Sequence, residues 1–300
     1  MTADRRAPKT HYRVTHRTDY QYGAPVTSGQ TIAHLLVRET PHQHVHRADV
    51  NVVPSPDHRH THIDGFGNLV SYLALQHPHE HLSVTATSEV LVAVPAPPAT
   101  SPPWDEMPGL LAVDTSPDGL LARQCVLDSL LVVADEALAA YARPSFPPGR
   151  PVHEAVADLT HRIFSEFVFD PHVTDVTTPP ADVLAHRRGV CQDFAHLAIG
   201  CLRALGLPAR YVSGYIETEP PPGQSKLVGS DASHAWFSTF VPGYGWLDAD
   251  PTNDQVPPHR HVTVAWGRDY GDVAPVRGIV FGPAVEQELE VAVDVVRLPA

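Results

Sequence analysis

The chain has 300 residues and a formal net charge of −13, from 34 acidic and 21 basic side chains, and 43% of its residues are hydrophobic. This length fits one large domain or two ordinary ones, and the apolar content is enough to form a buried core, which excludes a globally disordered chain. The acidic balance argues against a nucleic-acid partner. Three cysteines are too few for a disulfide framework.

The start of the sequence, MTADRRAPKT, is polar and no apolar run follows it, so we expect no secretory signal. The sequence contains no run of about 18 apolar residues, and we therefore expect no membrane span and no membrane partner. These features predict a cytoplasmic protein in which the cysteines are reduced thiols.

Residues 11–95 are predicted to form a small N-terminal β-sandwich. Segments such as 12–18 and 82–92 alternate in character, and turn signals such as Asp64-Gly-Phe-Gly-Asn separate them. The proline-rich stretch that follows predicts a linker over residues 96–117.

Residues 118–300 are predicted to form a second domain that ends in a C-terminal strand. Its helices are expected at about 118–142 and 151–166, where the apolar residues recur at helical spacing, and at 191–205, which is apolar around most of its circumference and so indicates a buried helix. Strands are expected at about 209–217, 234–241, 245–250 and 289–298, with a hairpin turn over 242–245.

Cys191 stands at the start of the predicted buried helix. A thiol there lies next to unpaired backbone N–H groups and the positive end of the helix dipole, which favour its nucleophilic thiolate form. The same N–H groups are candidates for stabilising an oxyanion. An isolated buried cysteine is more often inert, and Cys125 and Cys201, within apolar helical stretches, fit that interpretation.

His234 and Asp250 are the candidate partners of this thiol. His234 begins one predicted strand and Asp250 ends the next, so a hairpin would make them neighbours. The chemical interpretation is a triad in which Cys191 attacks, His234 takes and returns the proton, and Asp250 fixes the imidazole tautomer. Asp248 is the competing carboxylate, because strand periodicity places it on the same face; geometry favours Asp250 only weakly.

Five motifs follow one another along the second half of the chain: FDPHVTDVTTP (169–179), RGVCQDFAHL (188–197), GLPARYVSGY (206–215), SHAW (233–236) and DPTN (250–253). In order and spacing they resemble the motifs of the bacterial transglutaminase-like superfamily, whose members are also described as cysteine proteases. Residues 261–278 resemble the C-terminal segment of the family, and residues 12–22 and 64–68 resemble its N-terminal β domain.

This resemblance implies an α+β fold with a papain-like core, in which a helix bearing Cys191 packs on an antiparallel sheet bearing His234 and Asp250. It implies thiol-dependent amide hydrolysis or acyl transfer on a protein or peptide substrate through an acyl-enzyme, and it resolves the choice of carboxylate to Asp250. Water as acceptor would give a cysteine protease or amidase, and an amine would give a cross-linking transglutaminase. A non-catalytic binding module on the same fold is the alternative from another class, although the intact triad argues against it.

No cofactor or metal is expected. No acidic cluster resembles the calcium sites of the animal cross-linking enzymes, so we expect no calcium switch. The tryptophan that assists the oxyanion in those enzymes has no clear counterpart just before Cys191, and Gln192 is a weak substitute candidate. For Asp193 and His196, on the first turns of the helix, we favour helix capping or a buried network over a place in the cleft.

Nine of the 20 histidines form three HxHxH runs in the N-terminal domain, His42/His44/His46, His58/His60/His62 and His77/His79/His81. On a strand, each run would place three imidazoles on one face, where they could bind Zn²⁺ or Ni²⁺. We favour solvated segments without metal, because two of the runs touch turn signals, at Pro41 and Pro78. Most of the remaining histidines are also expected at the surface.

Overall fold

The structure is a computed structural model that describes residues 9–218, 232–256, 258, 260–283 and 286–299. Its strands are β1 (Lys9–Val26), β2 (Ser28–Ala33), β3 (Gln43–Val53), β4 (His58–Ile63), β5 (Leu69–Leu75), β6 (His79–Ala93), β7 (Val168–Phe169), β8 (Arg188–Gly189), β9 (Ala209–Ile216), β10 (Ala232–Val241), β11 (Gly245–Ala249), β12 (His261–Gly267), β13 (Val276–Phe281) and β14 (Gln287–Arg297). Its α-helices are α1 (Met107–Val113), α2 (Pro117–Gln124), α3 (Glu136–Ala142), α4 (Val152–Glu166), α5 (Pro180–His186), α6 (Cys191–Ala204) and α7 (Tyr270–Val273). No helix within these ranges is long and apolar enough to cross a membrane.

Two four-stranded antiparallel sheets form the predicted N-terminal β-sandwich. Their strand orders are β14-β1-β6-β3 and β13-β2-β5-β4. Side chains from both sheets meet in one apolar core. Tyr22, Val52 and Leu82 come from the first sheet, Leu73 comes from the second, and Leu35 follows β2. The predicted fold class, a sandwich preceding a mixed helix and sheet core, is confirmed.

The C-terminal strands belong to the sandwich rather than to the second domain. β13 pairs with β2, and β14 pairs with β1 along its length, from Tyr12 opposite Arg297 to Tyr22 opposite Gln287. The predicted second domain, 118–300, is therefore wrong at its C-terminal end. The chain returns to close the sheets that it began, which strand alternation alone does not reveal.

The second core is built on the antiparallel sheet β11-β10-β9-β12, against which α6 packs. The side chains of α6 from Asp193 to Arg203 are all buried, as its apolar circumference predicts. Strand β1 contributes to this core too, because Tyr12 and Val14, near its start, lie in the same apolar cluster as Leu197. One long strand thus joins both cores.

Arginine and tryptophan side chains stack between the sandwich and this sheet. The Arg38 guanidinium lies 3.1 Å from the centre of the Trp266 ring. Arg210 lies between Trp266 and Trp246, at 3.7 and 3.9 Å from their centres. Such cation–π contacts are strongest when they are desolvated, and Arg210 is buried.

The predicted helix over 118–142 is interrupted. α2 ends at Gln124, and α3 begins only at Glu136. Asp135 caps the start of α3 by accepting the Leu138 N–H at 2.8 Å. The predicted linker is not a simple spacer either, since α1 lies within it and buries Met107 and Leu111 in the second core.

Two buried histidines predict acid sensitivity. Burial lowers the pKa of His16 and of His196 to about 4. Because both pKa values lie below the ordinary value of 6.5, the folded state favours the neutral rings, and their stabilisation is complete above pH 6.5 and is lost as the pH falls toward 4. We expect the free energy of unfolding to drop by about 3 kcal/mol for each ring between pH 7 and 4, measured by urea unfolding.

The His16→Leu variant provides the control for this prediction. Its free energy of unfolding should depend less steeply on pH between 6.5 and 4 than that of the unmodified chain, whatever its value at pH 7. An equal slope in the two proteins would contradict the assignment to His16.

Candidate active site

The thiol of Cys191 lies at the first position of α6 and is partly exposed. The Asp193 carboxylate, on the first turn, caps this helix by accepting the Val190 N–H at 2.7 Å and the Thr174 hydroxyl at 2.7 Å. Gly189 leaves room for that carboxylate, since a Cβ at position 189 would lie 2.7 Å from Asp193 Oδ2. The capped end of a buried helix therefore holds the thiol in a fixed place.

His234 and Asp250 meet at one end of the β10–β11 hairpin. His234 lies near the start of β10, Asp250 directly follows β11, and His234 Nε2 lies 2.8 Å from Asp250 Oδ2. The competing carboxylate, Asp248, pairs in register with Ser238 and accepts its hydroxyl. The side chains of His234 and Asp250 are both buried.

His234 also lies close enough to the Cys191 thiol for the thiol to raise the pKa of its imidazole. Since Nε2 faces Asp250, Nδ1 is the nitrogen left for the sulfur. Burial alone would lower the pKa of His234, but the hydrogen bonds with Asp250 and Cys191 and the charges of both raise it to about 10. The imidazolium form is thus favoured between a carboxylate and a sulfur.

Asp250 accepts hydrogen bonds from five N–H groups. Oδ2 accepts from His234 Nε2 and His261 Nε2, each at 2.8 Å, and from Asn253 Nδ2 at 2.7 Å. Oδ1 accepts from the backbone of Thr252 and Asn253, as an aspartate that begins a turn does. Burial would raise the pKa of Asp250, but the hydrogen bonds from His234 and His261 hold it well below its ordinary value.

His261 was missed by the sequence reasoning, which assigned it no role. It is 6% exposed and begins β12, which pairs with β9 on the side opposite β10. Gly214 of β9 pairs with both His234 and Thr263, and a Cβ there would collide with the Val262 carbonyl and lie 2.6 Å from the Trp236 ring. The signal that could have found His261 is its position at the head of an apolar strand.

The polar residues beside Cys191 have structural partners, as the simpler interpretation of them predicts. His196 is buried, and its Nε2 accepts the Tyr270 N–H at 3.1 Å. Gln192, the weak oxyanion candidate, donates its amide to the Val176 carbonyl at 3.1 Å. Cys125 and Cys201 are buried, and burial raises the pKa of both thiols.

None of the HxHxH runs, all of which the structure describes, brings three metal-binding atoms within 4.8 Å of one another. Strand β4, which carries His58, His60 and His62, is exposed along its whole length. Within the described ranges, His234, Asp250 and His261 form the only group of three potential metal ligands with atoms within 4.8 Å of one another. Both imidazoles lie 2.8 Å from Asp250 Oδ2, which is a hydrogen-bond distance. A site that transfers protons explains this geometry.

Two family models match the chain. "Bacterial transglutaminase-like N-terminal region" matches residues 12–91, and "Transglutaminase-like superfamily" matches residues 139–251. The chain belongs to the transglutaminase-like superfamily. The second match covers Cys191, His234 and Asp250, whereas His261 lies beyond it.

Relatives of this transglutaminase-like chain include an uncharacterized protein of Mycobacterium tuberculosis, 42% identical over 298 residues, which cover 96% of this chain and 93% of the relative. A protein-glutamine gamma-glutamyltransferase of Pseudomonas aeruginosa is 35% identical over 132 residues, which cover 43% of this chain and 18% of the relative. A solved structure from Cytophaga hutchinsonii, named a "Putative Cysteine Protease", superposes with a TM-score of 0.76 at 21% identity, over 98% of this chain and 92% of that one. The last similarity concerns the fold.

Proposed function

We propose that this transglutaminase-like chain cleaves amide bonds through an acyl-enzyme on Cys191, with His234 as acid and base and Asp250 as the group that orients His234. The observation that carries the proposal is the position of His234, which hydrogen-bonds with a buried carboxylate and whose pKa is also raised by the nearby, partly exposed thiol. This is the arrangement of a nucleophile, a base and an orienting group that thiol catalysis requires.

The reaction would proceed in two steps. The Cys191 thiolate attacks the substrate carbonyl, and the developing oxyanion faces the N-terminal N–H groups of α6, which have no partner within the helix. As the C–N bond breaks, His234 gives its Nδ1 proton to the departing amine, leaving a thioester. His234 then takes a proton from the acceptor that attacks the thioester, and the thiolate leaves.

The acceptor decides between two functions. Water would make the protein a cysteine protease or amidase, which is our first proposal. An amine would make it a cross-linking enzyme, and the partial similarity to a protein-glutamine gamma-glutamyltransferase supports this second candidate. Both share the acyl-enzyme, so a single experiment can distinguish them.

A library of glutamine-containing peptides, incubated with the protein in the presence or absence of a primary amine, tests both candidates. For the first, we expect mass spectrometry to reveal cleaved peptides or side-chain amides converted to acids, without need of the amine. For the second, the peptides should gain the amine with loss of one ammonia.

The Cys191→Ala protein, prepared in the same way, is the control and should yield neither product. If the unmodified chain also yields neither and its Cys191 does not react with iodoacetamide, the proposal fails and a binding module on this fold becomes the better account.

A further inference from the structure

A second imidazole contacts the carboxylate of the proposed triad. His261 Nε2 lies 2.8 Å from Asp250 Oδ2, the same oxygen that receives His234 Nε2. The His261 ring packs edge-on against Trp236, 4.9 Å between centres, and lies 5.3 Å from the His234 ring. The triad itself assigns no role to this buried side chain.

The contacts of His261 define its protonation state. A carboxylate oxygen only accepts, so Nε2 carries the hydrogen. Nδ1 is buried and has no hydrogen-bond partner among the described residues. In a neutral ring, Nδ1 is a buried acceptor without a donor. In a charged ring, Nδ1 would be a buried N–H donor without an acceptor, which costs more free energy. Burial lowers the pKa of His261 more than Asp250 raises it, in agreement with a neutral ring.

The groups that act electrostatically on His261 come from two neighbouring strands. Asp250 and Asp248, after and within β11, favour a charged ring, whereas His234 on β10 disfavours it. Cys191 on α6 acts on the site through its effect on the pKa of His234, which it raises. Asp250 thus receives a charged donor from His234 and a neutral donor from His261.

We propose that His261 is a positioning residue for the thiol reaction, which holds Asp250 Oδ2 in line with His234 and limits how tightly that oxygen retains the His234 proton. This inference rests on the proposed function. A carboxylate with one donor fewer is a stronger acceptor for the remaining ones, so His234 would become more basic and release its proton to the departing amine less readily.

The test compares His261→Leu, which removes the donor and keeps an apolar side chain of similar size, with His261→Gln, whose amide N–H can reach the position of Nε2. The first readout is the pH dependence of Cys191 alkylation by iodoacetamide. The alkaline limb of this profile is the change in alkylation rate at the pH where His234 loses its proton. We expect this limb to move upward by about one pH unit in His261→Leu and to stay in place in His261→Gln. Amide turnover should fall about 10- to 100-fold in His261→Leu and recover in His261→Gln.

The alkylation readout needs no substrate, so it separates this inference from the proposed function. A shifted limb without turnover of any peptide supports the positioning role and contradicts the proposed reaction. An unshifted limb in a folded His261→Leu protein, checked by thermal unfolding, overturns the positioning role, because a side chain that only fills space would not change the acidity of His234. If His261→Leu does not fold, His261→Met replaces it, with the same expected shift and the same contradicting result.

Discussion

Replacing Cys191 by alanine is expected to abolish peptide turnover, with a loss of about 10⁴-fold or more, because no other group in the site can form the acyl-enzyme. The fold should be retained, since the side chain is partly exposed and its helix is capped by Asp193 rather than by the thiol. Turnover of the peptides defined above, measured beside thermal unfolding, checks both parts.

Alanine at Cys125 or Cys201 provides the matched control. Both thiols are at most 1% exposed, and burial raises their pKa values, so they are poor nucleophiles near neutral pH. These variants should keep their activity, and iodoacetamide should label Cys191 first in the native chain. Faster labelling of Cys125 or Cys201 near pH 7 would overturn the assignment of the nucleophile.

The parts of the fold that the sequence predicted well have strong local signals. The helix that begins at Cys191 is apolar around its circumference and ends before Gly206, and it occurs as α6, from Cys191 to Ala204. The hairpin turn over 242–245 joins β10 to β11, with Val241 opposite Gly245. That hairpin predicts that His234 lies beside the end of β11, but the choice of Asp250 over Asp248 came from the family resemblance.

The parts that the sequence did not predict depend on contacts between distant residues. Strand β14 alternates as expected, but nothing within it indicates that Arg297 lies opposite Tyr12. The interruption of the helix predicted over 118–142 was missed for another reason. The apolar spacing continues across the gap, and the Asp135 cap that begins a new helix is a single residue within it.

His261 combines both difficulties. Histidine is abundant in this chain, so one more imidazole carries little information by itself. Its partner, Asp250, becomes recognisable only after β10 and β12 are placed on either side of β9, where Gly214 allows their close approach. The resemblance to a known family named the three triad residues and also covered residues 261–278, but it gave His261 no role.

Replacing Asp250 by asparagine is expected to reduce turnover by about 10³- to 10⁴-fold and to destabilise the fold by about 3 kcal/mol. All five groups that contact this carboxylate donate hydrogen bonds. An amide can turn its oxygen toward only one set of donors, so its NH₂ group must face the others in either orientation. The His234 ring then loses both its orientation and its negative partner.

Asp248→Asn is the control, because Asp248 carries the same charge two residues away and accepts the Ser238 hydroxyl, which an amide oxygen can also accept. This variant should keep most of the turnover. The alkaline limb of Cys191 alkylation should move downward in Asp250→Asn, because the pKa of His234 falls without its anionic partner, opposite to the shift expected for His261→Leu. Equal turnover in Asp250→Asn and Asp248→Asn, measured below both unfolding temperatures, would contradict the role of Asp250.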